Sequence, residues 1–262
     1  MLPTMKNKKL QLLEDIFLEA YPQGFQTPEI QKIAKKHNLP KMHTLAKEYF
    51  AEDNLASVNE TSEHIISLVS KSSMISLFEK PKLRDAIRSM SADKLEILAL
   101  GLQEQLHGNK QNGFEILIEL LAEYKLAKWS LLTIIPNYLA PEVEFFIKPT
   151  TTKNVLKYFD VSHISYSPKP SYEFYVEYSA FLNELKASAR KVRVSSNAGF
   201  TGFLMMAIGM GEGLAKWSEE YWHFSAVKWV QENRPKHKKL PTKQMLFYSQ
   251  KTSGLGRFTQ TK

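Results

Sequence analysis

The sequence predicts an all-α fold, a multi-helix globular bundle built around a buried apolar helix near 196–211, with at most one or two short strands and a basic C-terminal tail. Three observations carry this reading. Between Val194 and Gly211 there is no charged residue, and Phe200, Phe203, Leu204, Met205, Met206, Ile208 and Met210 point in every helical direction. A helix that is apolar all round is expected to be buried on all sides. Elsewhere, apolar residues recur at spacings of three and four in about ten segments, the period of amphipathic helices that would pack against it. The 262 residues, 43% hydrophobic and 24% charged, are enough to enclose a full core.

From the start of the chain, Leu10, Leu13, Phe17 and Tyr21 mark an amphipathic helix over 6–20, ended by Pro22-Gln23-Gly24. Thr27-Pro28-Glu29 opens a second helix, with Thr as cap, Pro at the first helical position and Glu favoured by the helix dipole. That helix runs to about His37, Asn38-Leu39-Pro40 breaks it, and a third covers Lys41 to about Glu52. Residues 1–55 thus form a three-helix unit with the outline of a helix-turn-helix. Ile33, Ala34, Asn38 and Leu39 suit such a motif, but Leu45 and Ala46 occupy the wrong register, where Thr44 and Lys47 would have to be apolar. Lys41, Met42 and His43 also offer none of the Arg, Asn or Gln that read base edges best. A plain structural unit is the better expectation.

Residues 56–233 read as a helical body. Ser57 and Glu60 have capping-box spacing before a helix through Ile65, Ile66, Val69, Met74, Ile75 and Phe78. Lys80-Pro81-Lys82 interrupts it, a short helix follows from Leu83 to Met90, and Ser91 caps the next, which runs towards His107. The run Gly108–Gly113 is the clearest loop signal and a candidate division of the body near 108–113. Phe114 to Leu121 and Leu126 to Leu139 are strongly apolar helices, the second with Pro136-Asn137 as an internal break. Glu142–Lys148 (EVEFFIK) is the one stretch with a claim to be a strand. Thr150-Thr151-Thr152 then caps a helix through Phe159, His163–Ser171 is extended, and Tyr172–Lys191 is a long helix. In the central apolar helix Ser196 or Asn197 caps the start, and Gly209, Gly211 and Gly213 can stop it. A last helix from Leu214 to about Glu232 carries Trp217, Tyr221, Trp222 and Trp229, and Pro235 ends it.

Charge is distributed unevenly. Eight of the 35 basic residues and none of the 27 acidic ones lie in 234–262, so the rest of the chain is neutral. Within this tail Arg234, Lys236, Lys238, Lys239, Lys243 and Arg257 are interleaved with Phe247, Tyr248 and Phe258. Cations neutralise phosphates and aromatic rings stack on unpaired bases, so the tail points to DNA or RNA bound with little sequence specificity. Lys148 and Lys153 flank the Thr150–Thr152 hydroxyls at a helix start, a second place where a phosphate could be held. Ordinary helix capping explains the same residues. The alternative is a helical scaffold or adaptor that docks an acidic partner or forms a homodimer through Trp217, Tyr221, Trp222 and Trp229.

Other chemistries find little support. No cysteine is available for disulfides, thiolate metal sites or nucleophiles, which fits a reducing, cytoplasmic setting. The seven histidines form no HExxH arrangement, so no metal is expected, nor any other cofactor. Gly209-Met-Gly-Glu-Gly213 lacks the strand, lysine and hydroxyl of a phosphate loop, and no GxSxG elbow occurs. No catalytic residues declare themselves, and a non-enzymatic protein is expected. The uncharged run is shorter than the roughly 20 residues of a membrane span, and the N-terminus lacks a secretory signal, so membrane insertion is not expected.

Overall fold

The computed structural model describes residues 4–52 and 57–218, with side chains described as far as 211. These residues form eleven α-helices and one short 3-10 turn, and no strand occurs among them. The helices are α1 (Thr4–Ala20), α2 (Pro28–His37), α3 (Leu39–Phe50), α4 (Val58–Lys71), α5 (Glu79–Arg88) and α6 (Ala92–His107). They continue with α7 (Lys110–Glu123), α8 (Trp129–Leu139), α9 (Pro149–Tyr158), α10 (Tyr172–Ser188) and α11 (Asn197–Ser218). One continuous apolar core runs from Leu10 in α1 to Ile208 in α11. The all-helical expectation therefore holds, while the tail from 234 lies outside the described residues.

The breakers act as their chemistry dictates. Gly24 has φ +55°, the left-handed conformation that glycine adopts at no steric cost. Asn38, at φ 47°, turns the chain between α2 and α3, and Pro28 and Pro40 stand where a missing N–H costs nothing. Ser57 accepts the Glu60 amide and Ser171 the Phe174 amide, as N-cap side chains do. Thr27 caps only by position, because its hydroxyl makes no hydrogen bond to the helix.

Five expectations are revised. The helix beginning at Val58 stops at Lys71, and Ile75 enters the core from a loop rather than from a helical turn. The Gly108–Gly113 run is mostly helix, with only Gly108 and Asn109 between α6 and α7. A Cβ on Gly113 would lie 2.1 Å from the Gln105 amide nitrogen and 2.6 Å from the Gly101 carbonyl oxygen. That glycine lets two helices cross backbone to backbone, a role indistinguishable in sequence from a turn signal.

Pro136 does not break α8. Its missing N–H leaves the Leu132 carbonyl without a helical partner, and the buried Gln105 side chain donates to that oxygen at 3.0 Å. The stretch Glu144–Ile147 is buried but unpaired with any strand. Its backbone is served by side chains instead. The Phe145 amide donates to the Tyr175 hydroxyl (3.2 Å), the Ile147 amide donates to Thr133 (3.0 Å), and Asn137 and Asn197 donate to the Glu144 carbonyl. An apolar run can thus cross a helical core without a β ladder, provided each buried backbone group finds a partner.

The last revision concerns α11. Phe200, Phe203, Leu204, Ala207 and Ile208 are fully buried, facing α1 and α9, and Phe203 meets Phe17 edge to face at 5.2 Å. Met205, however, is 45% exposed, and a Cβ at Gly202 or Gly209 would meet nothing within 4 Å. The helix is covered on one side and open along another. Nor do its glycines stop it, since the chain stays helical to Ser218. Glycine permits a helix stop but does not impose one, and each interior glycine costs only about 1 kcal/mol.

Candidate nucleic-acid interface

Of the residues expected to contact nucleic acid, Arg234, Lys236, Lys238, Lys239, Lys243 and Arg257 lie outside the described residues. So do Tyr221, Trp222 and Trp229, and the Trp217 side chain. Lys148 and Lys153 are both exposed. Lys148 is the N-cap residue of α9, extended at φ −114°, ψ 118°, with Pro149 at the first helical position. The threonines are therefore inside the first turn rather than capping it. Thr151 and Thr152 are buried, and Thr150 is exposed.

The two lysines also face different neighbours. The Lys153 ammonium stands 5.2 Å from the centre of the Tyr166 ring. The charge of Lys148 acts on His37, in the C-terminal turn of α2 with Lys35 and Lys36. His37 is half-buried and is held below the ordinary imidazole range, first by burial and then by the charges of Lys36 and Lys148. Its Nδ1 lies 2.9 Å from the Ser73 hydroxyl in the loop after α4. The fold thus brings the charges of Lys36 and Lys148 to bear on His37. The basic end of α2 is visible in the sequence. Its meeting with Lys148 is not, because it joins residues far apart in the chain.

The start of α3, the candidate recognition helix, is largely committed to the body. Met42, Ala46 and Phe50 are buried, α3 packs on α4 and α8, and His43 Nδ1 lies 2.8 Å from the Tyr138 carbonyl oxygen. His107 Nε2 similarly lies 2.8 Å from the Phe50 carbonyl oxygen. Both rings serve the last carbonyls of other helices, groups that have no intrahelical partner. His64 stacks flat on Tyr49, ring centres 4.1 Å apart. Among the described residues no group of His, Asp or Glu could hold a metal ion.

Sequence reasoning missed the most polar part of the interior. Glu144 is buried, paired with Lys110 on one carboxylate oxygen and accepting the Tyr175 hydroxyl on the other. Burial, then the Glu144 charge, push the Tyr175 hydroxyl well above its ordinary range, so it keeps its proton and acts as a donor. The lone carboxylate in the apolar run VEFFI was the available signal. The cluster ties three elements together, α7, the buried segment and α10.

No protein-family model matches the chain, and neither curated proteins nor solved structures provide a significant match.

Proposed function

We propose that the protein is a non-enzymatic nucleic-acid-associated helical protein whose basic C-terminal tail supplies largely sequence-nonspecific binding. One observation carries this reading: the eight cations of 234–262 contain no carboxylate among them, on a chain that is otherwise neutral. Interleaved with Phe247, Tyr248 and Phe258, they combine phosphate neutralisation with stacking surfaces. Lys148 would add a contact on the body, supported by its charge and that of Lys36 acting together on His37. Lys153 belongs to the same proposal as a separate contact. The cysteine-free composition fits a reducing, cytoplasmic compartment.

The test is fluorescence anisotropy with duplex DNA, single-stranded DNA and RNA, comparing the full chain with a chain ending at Asn233. If six or more tail cations each neutralise a phosphate, affinity for duplex falls roughly a thousandfold between about 50 and 200 mM salt. Truncation should abolish that binding. Equal affinity of the two chains, or none in either, refutes the tail reading.

A second reading has its own support. The open side of α11, with Met205 exposed and Gly202 and Gly209 uncovered, belongs to the helix that carries Trp217. We infer a scaffold or homodimer role for that region as the alternative, with an acidic protein as the other partner class. Light scattering that gives a monomer at high concentration removes the homodimer.

A further inference from the structure

The loop between α4 and α5 presents two large apolar side chains to water. Leu77 is 79% exposed and Phe78 81% exposed, and they are adjacent. This exposure is built rather than frayed. Ser72 reaches the Tyr138 hydroxyl at 2.8 Å in the core and also accepts the Met74 amide, while Ile75 is buried. Ser76 accepts the Phe78 amide through its hydroxyl (3.2 Å) and the Glu79 amide through its carbonyl (3.0 Å). A loop anchored on both sides therefore holds Leu77 and Phe78 outward, at a cost in exposed apolar surface that the fold itself does not recover.

The surroundings of this tip are cationic. At its entry Ser73 meets His37, on which the charges of Lys36 and Lys148 act. At its exit Lys80 donates to the Ser70 carbonyl (3.0 Å), and Lys82 is exposed. Between Lys71 and Arg84 the one carboxylate is Glu79, and Lys128 pairs with it at 3.0 Å. Apolar tip, cationic surround and neutralised carboxylate form one surface.

We propose that this surface docks reversibly on an anionic lipid bilayer, with Leu77 and Phe78 entering the headgroup–acyl boundary and Lys36, Lys80, Lys82 and Lys148 facing acidic headgroups. Charge complementarity selects the occupant. A nucleic acid would use the lysines and the Phe78 ring but gives Leu77 no role, whereas a bilayer interface accommodates all of them. Two side chains give shallow, peripheral attachment. That agrees with the absence, among the described residues, of any helix long and apolar enough to cross a membrane. The proposal does not depend on nucleic-acid binding by the tail.

The test is co-sedimentation of the full chain with phosphatidylcholine vesicles, with and without phosphatidylserine. The unaltered chain should bind only the anionic vesicles. The double variant L77S/F78S should keep its melting temperature, since both side chains are exposed, and lose at least about tenfold in partitioning. F78L should retain most of the binding, because a bilayer accepts any bulky apolar group and base stacking does not. The double variant K36E/K148E should weaken binding and reduce its dependence on salt. Because the basic tail also attracts anionic vesicles, L77S/F78S binding like the unaltered chain overturns the proposal. So does F78L that loses single-stranded DNA while vesicle binding is unchanged in every variant.

Discussion

Glu14 in α1 reaches across the core to the chain that leaves α10, and truncating it should cost more than any surface change. Its side chain is fully buried, and one carboxylate oxygen accepts the amides of Arg190, Lys191 and Val192 at 2.8, 2.6 and 2.8 Å. Glu14→Ala strands all three donors. The Val192 amide is buried, and a buried donor left unmade costs about 1–3 kcal/mol. The other two are partly buried and regain some of their bonding from water. With the lost packing of the removed methylene and carboxylate, the total comes to about 3–5 kcal/mol. Glu14→Gln keeps an acceptor but not its charge, and charge-assisted bonds are roughly twice as strong as neutral ones, so about 1–2 kcal/mol is expected. One opposing effect is that the second carboxylate oxygen is buried without a partner. If desolvation of the charge outweighed the three bonds, Glu14→Gln would be the more stable protein. Urea unfolding of the full chain, followed by far-UV circular dichroism, measures both variants. Asp15→Ala is the control, because its pair with Lys191 is about half exposed and contributes under about 1 kcal/mol. A loss below about 1 kcal/mol for Glu14→Ala, or a gain for Glu14→Gln, refutes the reasoning.

The Gln105 bond should matter only because residue 136 is proline: Gln105→Leu should destabilise by about 1–3 kcal/mol, and less in a Pro136→Ala background where α8 can supply its own donor to Leu132. A double-mutant cycle in urea that finds no coupling sinks that account. Alkaline stability should fall above about pH 10, where unfolded tyrosines ionise. Burial raises Tyr138, Tyr175 and Tyr178 above the ordinary range and Tyr158 to about 12. The folded state therefore holds protons that the unfolded state has lost, and stability declines as pH rises through that window. Tyrosinate absorbance should show these rings ionising together with loss of helix; ionisation of all eleven tyrosines before helix loss contradicts it.

Where a segment's apolar face alone decides its structure, the sequence was sufficient. Leu10, Leu13 and Phe17, or Phe174, Tyr178 and Phe181, mark the buried faces of α1 and α10 without reference to any other part of the chain. The misreadings fall where one residue type serves two purposes. Gly113 signals a turn equally well as a close helix crossing, and only the opposing Gly101 and Gln105 decide between them. Pro136 breaks a helix unless something else satisfies Leu132, and that partner lies in α6. The period of EVEFFIK fits a strand, yet Thr133, Tyr175, Asn137 and Asn197 supply the bonds a neighbouring strand would have made. The candidate site was legible as charge but not as place. Lys148 could be chosen from its position at a helix start, whereas the joint action of its charge and that of Lys36 on His37 follows only from the fold.

These cases share a physical pattern that separates stability from function in this chain. Glu14 serves the backbone of 190–192, Gln105 that of Leu132, and Thr133 and Asn137 that of the buried segment. His43 and His107 face helix-end carbonyls. These interior polar side chains are thus committed to main-chain groups that an all-helical core leaves unpaired wherever the chain turns or a proline intervenes. Groups so committed cannot be altered without loss of stability, which makes them poor places for binding to evolve. Lys36, Lys148, Leu77 and Phe78 have the opposite character: they are exposed and held by a scaffold that does not need them. Substitution there should change what the surface binds while leaving the unfolding midpoint in place, and substitution at Glu14 or Gln105 should do the reverse.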